Sequence, residues 1–219
     1  MKLEEALPVL RDCIGISFGK LFSDLPKDLI TNKGNVGQLL LLKIGLKLDS
    51  NLTDFDDGEL KTNKAYPNGL PRETMFITQI SRQIDNYVTN PPLNFRETNI
   101  YEKIRNLVFL PVCKDSKNQD EWFFTSLRHI NLDKNAALFG QLEEDYLLIC
   151  KQLRMHILSA ADGFIHTSNG QFIQVRSKDS KPYSPIYSKQ LGRFISNKNH
   201  AFYFKKQFME HCIKNDTSI

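Results

Sequence analysis

The chain is expected to fold as one α/β unit, and three features carry that expectation. Residues 106 to 113 read Asn-Leu-Val-Phe-Leu-Pro-Val-Cys. They are apolar in both alternating sets, the pattern of a central strand covered on both faces. Leu3, Ala6, Leu10, Ile14 and Phe18 recur near every fourth position, a helical period. Glu59-Leu60-Lys61 alternates polar, apolar, polar. On a strand this sends Leu60 into the core and sets Glu59 and Lys61 together on the other face.

The remaining elements follow in order. The first helical run covers residues 3 to 21, and Pro8 is expected to break it or delay its start. Asn32-Lys33-Gly34-Asn35 is a turn with Asn35 as N-cap, and a helix apolar nearly all round follows over residues 36 to 47. An acidic loop leads into a strand at 58–62. Pro67-Asn68-Gly69-Leu70-Pro71 is turn chemistry before a second strand at 74–80. After the strand at 106–113, another is expected at 122–130, then a helix at 143–158. A hairpin is expected over 164–176 about Ser168-Asn169-Gly170, then a polar, Pro-bearing loop at 177–185. A short aromatic strand at 201–204 and a helix from Lys206 close the chain. No repeat, low-complexity segment or linker interrupts it.

Composition excludes several classes. A net charge of +4 is too mild to indicate nucleic acid by itself, although Lys and Arg concentrate after Arg176. The longest apolar stretch, residues 36 to 46, is interrupted by Gln38, Lys43 and Gly45 and is too short for a bilayer. Glu4 and Glu5 stand where a signal peptide would need an apolar segment. Cys13, Cys113, Cys150 and Cys212 are scattered, with no CxxC pair and no His at zinc-ligand spacing. They read as reduced, buried cysteines of a cytoplasmic protein with no membrane partner. None of the five histidines stands in a known triad order, so all are read as structural or surface residues.

The segment Asp54-Phe-Asp-Asp-Gly-Glu-Leu-Lys61 carries the chemistry. Two carboxylates and one ammonium converging at a strand end suit metal-dependent phosphodiester cleavage. Hard oxygen ligands hold Mg²⁺, the metal activates water, and the ammonium orients that water or meets charge developing on phosphate. Asp54 is the first candidate ligand beside Glu59, and Asp56 and Asp57 compete with it. The plain structural alternative is an acidic turn running into a strand.

The order of motifs around this segment resembles the MutH-type endonucleases, the mismatch-repair and GATC-cutting restriction enzymes of the PD-(D/E)xK superfamily. Lys33-Gly34-Asn35-Val36-Gly37 resembles that family's helix start. Asp54-Phe55 with Gly58-Glu59-Leu60-Lys61-Thr62 resembles its catalytic strand, and Gly69-Leu70-Pro71-Arg72-Glu73-Thr74 its next turn. Lys103 before Leu107–Val112, Arg176-Ser177-Lys178, and Phe202-Tyr203-Phe204-Lys205-Lys206 complete the series. The resemblance runs from about Ile14 to Phe208.

The resemblance implies a restriction-endonuclease-like mixed sheet flanked by helices. It implies a single nuclease domain over 1–219, with a catalytic arm to about residue 110 and a DNA-recognition arm beyond it, the two around a DNA-binding cleft. It implies Asp54 and Glu59 as Mg²⁺ ligands, and Asp54, Glu59, Lys61 and Lys103 as the catalytic set. Lys33, Arg176, Lys178, Tyr203 and Lys205 fall on its DNA contacts. Arg176 and Lys178 would enter the major groove, and Tyr203 matches a residue that senses adenine methylation. Two departures stand out. The Asp54–Glu59 loop is two residues shorter than the family's, and Leu41 stands where the mismatch-repair enzyme has a Glu. These departures and the Lys/Asn-rich composition favour a type II restriction endonuclease, dimeric on double-stranded DNA, over a repair nickase. A non-catalytic DNA-binding module is the alternative from another class.

Overall fold

The computed structural model describes residues 1–24, 36–47 and 51–214. The chain separates into two units, each assembled from several stretches. The first comprises Met1–Met75, Lys103–Asn131 and Met209–Ile219, and the second Phe76–Glu102 and Leu132–Phe208.

The first unit is built on a four-stranded mixed sheet. Strand β1 (Glu59–Ala65) lies parallel to β3 (Asn106–Cys113), with Glu59 beside Leu107 and Lys61 beside Phe109. Two short strands, β4 (Phe123–Phe124) and β5 (Arg128–Asn131), pair antiparallel with β3. All eight residues of β3 are buried, as its two apolar faces require. The helices Leu3–Asp12 and Val36–Lys43 supply Leu3, Leu7, Leu10, Leu39, Leu40 and Leu41 to one core with Leu60, Val108 and Leu110.

The first helix differs from expectation at Pro8, which lies inside it on an exposed position. The chain accepts the lost N–H there because Leu3, Ala6, Leu7 and Leu10 still present one buried stripe. The helix ends four residues later, and Gly15 turns the chain at φ 73° with its N–H on the Phe124 carbonyl. The expected strand at 122–130 is two strands with a break at 125–127. The expected helix at 36–47 stops at Lys43, and Gly45 follows at φ 81°. The N-cap expected of Asn35, and Lys33, lie outside the described residues.

The second unit carries the sheet β2-β10-β7-β6. Here β2 is Met75–Gln79, β6 Ser168–Asn169, β7 Ile173–Ser177 and β10 His200–Phe204. Strand β7 is antiparallel to both β6 and β10. The 24-residue helix Ala136–Ser159 begins earlier than the sequence pattern indicated, capped by Asn135, whose side chain accepts the Leu138 N–H at 3.0 Å. Tyr87, Phe95, Tyr146 and Phe202 form an aromatic core through contacts of 5.3 to 6.1 Å between ring centroids.

The turn expected at Ser168-Asn169-Gly170 lies further on. Ser168 and Asn169 are strand, and the chain turns at Gly170–Phe172. Asp145, 2% exposed, imposes this by accepting the N–H groups of Gln171, Phe172 and Ile173 at 2.6 to 2.9 Å. The sequence pattern also missed the short helices Ile84–Val88 and Asn99–Ile104 and the hairpin β8 (Ile186–Ser188) with β9 (Arg193–Ser196). The four cysteines are free and buried. Among the described residues no helix is long and apolar enough to cross a membrane.

Candidate active site and base-reading face

The segment before β1 folds back on itself. The Phe55 N–H donates to the Gly58 carbonyl at 2.9 Å, closing a tight turn. Gly58 has no room for a side chain, since a Cβ would lie 2.6 Å from the Asn106 carbonyl oxygen and 2.6 Å from Leu3. This turn returns Asp54 to the start of β1. Its Oδ2 accepts the Leu60 N–H at 3.0 Å, and its own N–H donates to Glu59 Oε2 at 3.3 Å. A groove lined by Gly45, Leu46, Lys47, Asn51 and Thr53 opens beside Asp54.

The three aspartates therefore separate by geometry. Asp56 pairs with the Met1 ammonium at 2.9 Å, and Asp57 accepts the Leu3 N–H at 2.8 Å at the start of the first helix. Asp54 alone of the three hydrogen-bonds to Glu59 and its neighbour on β1.

Glu59 is 1% exposed. Its Oε1 takes the Lys61 ammonium in a short contact and the Lys103 ammonium at 2.8 Å. Lys61 reaches it from two residues along the same strand. Lys103 reaches it from the end of the Asn99–Ile104 helix, which enters β3 beside the start of β1. A buried carboxylate without such partners would be costly, and two ammonium groups meet that cost. Burial raises the Asp54 carboxyl above its ordinary range, and the neighbouring Glu59 charge adds to this. The Leu60 N–H and the two lysines act in the opposite direction.

Among the described residues no group of three or more His, Cys, Asp or Glu side chains is placed to hold a metal ion. Leu41, where the resemblance calls for a third carboxylate, is 8% exposed within the apolar core, and Gln38 is exposed. The site thus offers two carboxylates. That donor set suits Mg²⁺, which keeps several waters and commonly takes only one or two carboxylates from the protein. Lys61 and Lys103 already stand on Glu59 Oε1, so a metal ion there would share that carboxylate with them.

In the second unit, the Arg176 guanidinium lies 4.4 Å from the Tyr203 ring centre and the Lys178 ammonium 3.1 Å from the Phe76 ring centre. Phe76 and Tyr203 meet edge to face at 5.7 Å. Strand alternation explains the grouping. Ile173 and Val175 point into the core while Arg176 is exposed, and Ala201 pairs with Arg176 while Tyr203 pairs with Gln174. Tyr203 is 7% exposed, and burial raises its phenol pKa while Arg176 draws it down. The Lys205 ammonium donates to the Gly170 carbonyl at 3.0 Å, so it holds the β6–β7 turn and stands apart from this cluster. Phe76 was not singled out by the sequence reading. The available signal was an aromatic residue at a half-buried position between buried Met75 and Ile77.

No family model matches the chain. It is similar to two proteins named DNA mismatch repair protein MutH. The one from Actinobacillus pleuropneumoniae serotype 5b (strain L20) is 25% identical over 200 residues, covering 88% of this chain and 82% of the relative. The one from serotype 3 (strain JL03) of the same species is 24% identical over 221 residues, covering 97% and 93%. Over most of its length, the chain is similar to MutH.

Proposed function

We propose that the protein is a Mg²⁺-dependent endodeoxyribonuclease that cuts double-stranded DNA at a short specific site, with GATC as the candidate, in the manner of a type II restriction enzyme. The observation that carries the reading is the convergence of Asp54, Lys61 and Lys103 on buried Glu59. Asp54 and Glu59 would hold the metal. When bound, Mg²⁺ supplies a Lewis acid for the phosphate and lowers the pKa of water. Lys61 orients the attacking water or balances the charge that develops on phosphate during in-line attack. Lys103 holds Glu59 from the end of the Asn99–Ile104 helix and adds positive charge toward the same phosphate. Arg176 and Lys178 read base edges, Tyr203 adjoins them, and Lys33 contacts the backbone, where lysine adds affinity without sequence information; Lys205, expected on the DNA, holds the β6–β7 turn instead.

A repair nickase is the second reading, favoured by the names of the two relatives. The product separates the two. One cleavage motif per chain cuts one strand, so a restriction enzyme acts as a dimer on its palindromic site. Purified protein with Mg²⁺ and supercoiled plasmid should yield linear DNA, and the share of linear over nicked product should rise with protein concentration. Sequencing the ends of unmethylated and methylated substrates gives the site. Slow nicking alone, at every protein concentration, would replace the restriction reading with the repair one.

A further inference from the structure

The loop that leaves β7 carries Lys178 at its start, one residue beyond the last ladder pair, Ser177 with His200. Arg176 is held by its pairing with Ala201, whereas Lys178 lies past the ladder and is tied instead to the β9–β10 turn and to the Phe76 ring. One exposed carboxylate, next in sequence, organises this loop. Asp179 Oδ1 accepts the Ser180 N–H at 3.0 Å. Its Oδ2 accepts the Ser184 N–H at 2.6 Å and the Asn199 N–H at 2.9 Å. Ser184 ends the loop, and Asn199 lies in the turn between β9 and β10. The same turn accepts the Lys178 N–H on the Asn199 carbonyl at 2.9 Å.

We propose that Asp179 is the positioning residue of the base-reading loop, closing residues 179 to 184 onto the β9–β10 turn so that Lys178 is presented in one direction. The inference rests on the nuclease reading above, in which Lys178 meets base edges. A carboxylate suits the role because two oxygens with about four acceptor positions can serve three N–H groups, which a hydroxyl cannot. Those N–H groups, Asn199 first and then Ser184, also hold the Asp179 carboxyl below its ordinary pKa. Asp179 is exposed and its bonds run to Ser180, Ser184 and Asn199, so what it orders is the loop and the turn beside it. Asp162 provides an internal control. It is another half-exposed loop aspartate of the same unit, and it accepts the Phe164 N–H at 2.9 Å and meets the His166 ring at 3.1 Å.

The test uses the full-length protein and two short duplexes, one carrying the site read from the sequenced cleavage ends and one with that site scrambled. Asp179→Ala should lower the affinity ratio between them about tenfold, with binding to the scrambled duplex nearly unchanged. Asp179→Asn keeps one acceptor oxygen and should fall between wild type and Asp179→Ala. Asp162→Ala should match wild type. In the DNA-free protein, hydrogen exchange at the Ser184 and Asn199 amides should accelerate in Asp179→Ala. Unchanged discrimination in both Asp179 variants, or equal loss on both duplexes, overturns the inference while leaving the nuclease reading intact. A wild-type protein that cuts no DNA, or binds both duplexes alike, overturns that reading and this inference with it.

Discussion

Asp54 and Glu59 hold each other through the backbone: the Asp54 carboxylate accepts the N–H of Leu60, and the Glu59 carboxylate accepts the N–H of Asp54. Each side chain therefore fixes the chain segment that presents the other. Burial raises the Asp54 carboxyl, and the Glu59 charge beside it raises it further. The Leu60 N–H and the Lys61 and Lys103 charges offset part of that rise.

The three aspartates should behave differently on substitution. Asp54→Ala and Glu59→Ala should reduce cleavage by about 100-fold or more, with duplex binding retained. Asp56→Ala should cut normally. Asp57→Ala should also cut, at a cost of about 1 kcal/mol in stability for the lost N–H acceptor at the first helix. Plasmid cleavage with parallel thermal melts checks all four. Normal cutting by Asp54→Ala would reassign the first ligand.

Ionisation of Asp54 adds a pH dependence. Because burial and Glu59 raise its pKa, Asp54 is protonated at a pH where an ordinary Asp is already charged. Mg²⁺ binding needs the charged form. Metal affinity, measured by calorimetry on the DNA-free protein, should therefore decline on acidification starting above the ordinary Asp range. Affinity that holds down to pH values near the ordinary Asp pKa of about 3.9 would contradict this.

His200 offers a second titration, in the other direction. It is 3% exposed, and burial lowers its pKa from the ordinary value. A lowered histidine binds fewer protons in the folded than in the unfolded state as pH drops below about 6.5. Stability is thus fully present above that value and lost as pH falls toward the folded pKa. An NMR titration of the His200 ring should give a midpoint below about 6.5, and a midpoint above it would show the ring to be exposed or paired with a carboxylate.

Arg176 should carry more discrimination than affinity. Arg176→Ala should cost about 1–3 kcal/mol on the specific duplex and much less on random DNA. Equal loss on both would make Arg176 a phosphate clamp. Tyr203→Phe keeps the ring under the guanidinium and should be milder than Tyr203→Ala.

Part of this was legible in the sequence. The bounds of β3 follow from its two apolar faces, and the Glu59–Lys61 contact follows from strand alternation. The choice among Asp54, Asp56 and Asp57 does not, because the groups that engage Asp56 and Asp57 are Met1 and Leu3, more than fifty residues away in the chain. The turn at Gly170–Phe172 was misplaced for a similar reason. Asn169-Gly170 is a good local turn signal, but the three N–H groups held by Asp145 outweigh it. Phe76 and Asp179 were missed because their roles depend on which strands become neighbours. Lys103 was found only through the resemblance, since nothing local says that a lysine ending a short helix will meet a strand 44 residues upstream.

Lys61→Ala is the decisive variant for DNA hydrolysis by the Asp54–Glu59–Lys61 cluster. Wild type and Lys61→Ala are each incubated with supercoiled plasmid in Mg²⁺, and their duplex binding is measured in parallel. Wild type should cleave, the variant should lose cleavage by about 100-fold or more, and both should bind comparably. Wild-type protein that binds DNA but does not cut it would make the chain a DNA-binding module, and equal cutting by both proteins would place the chemistry elsewhere.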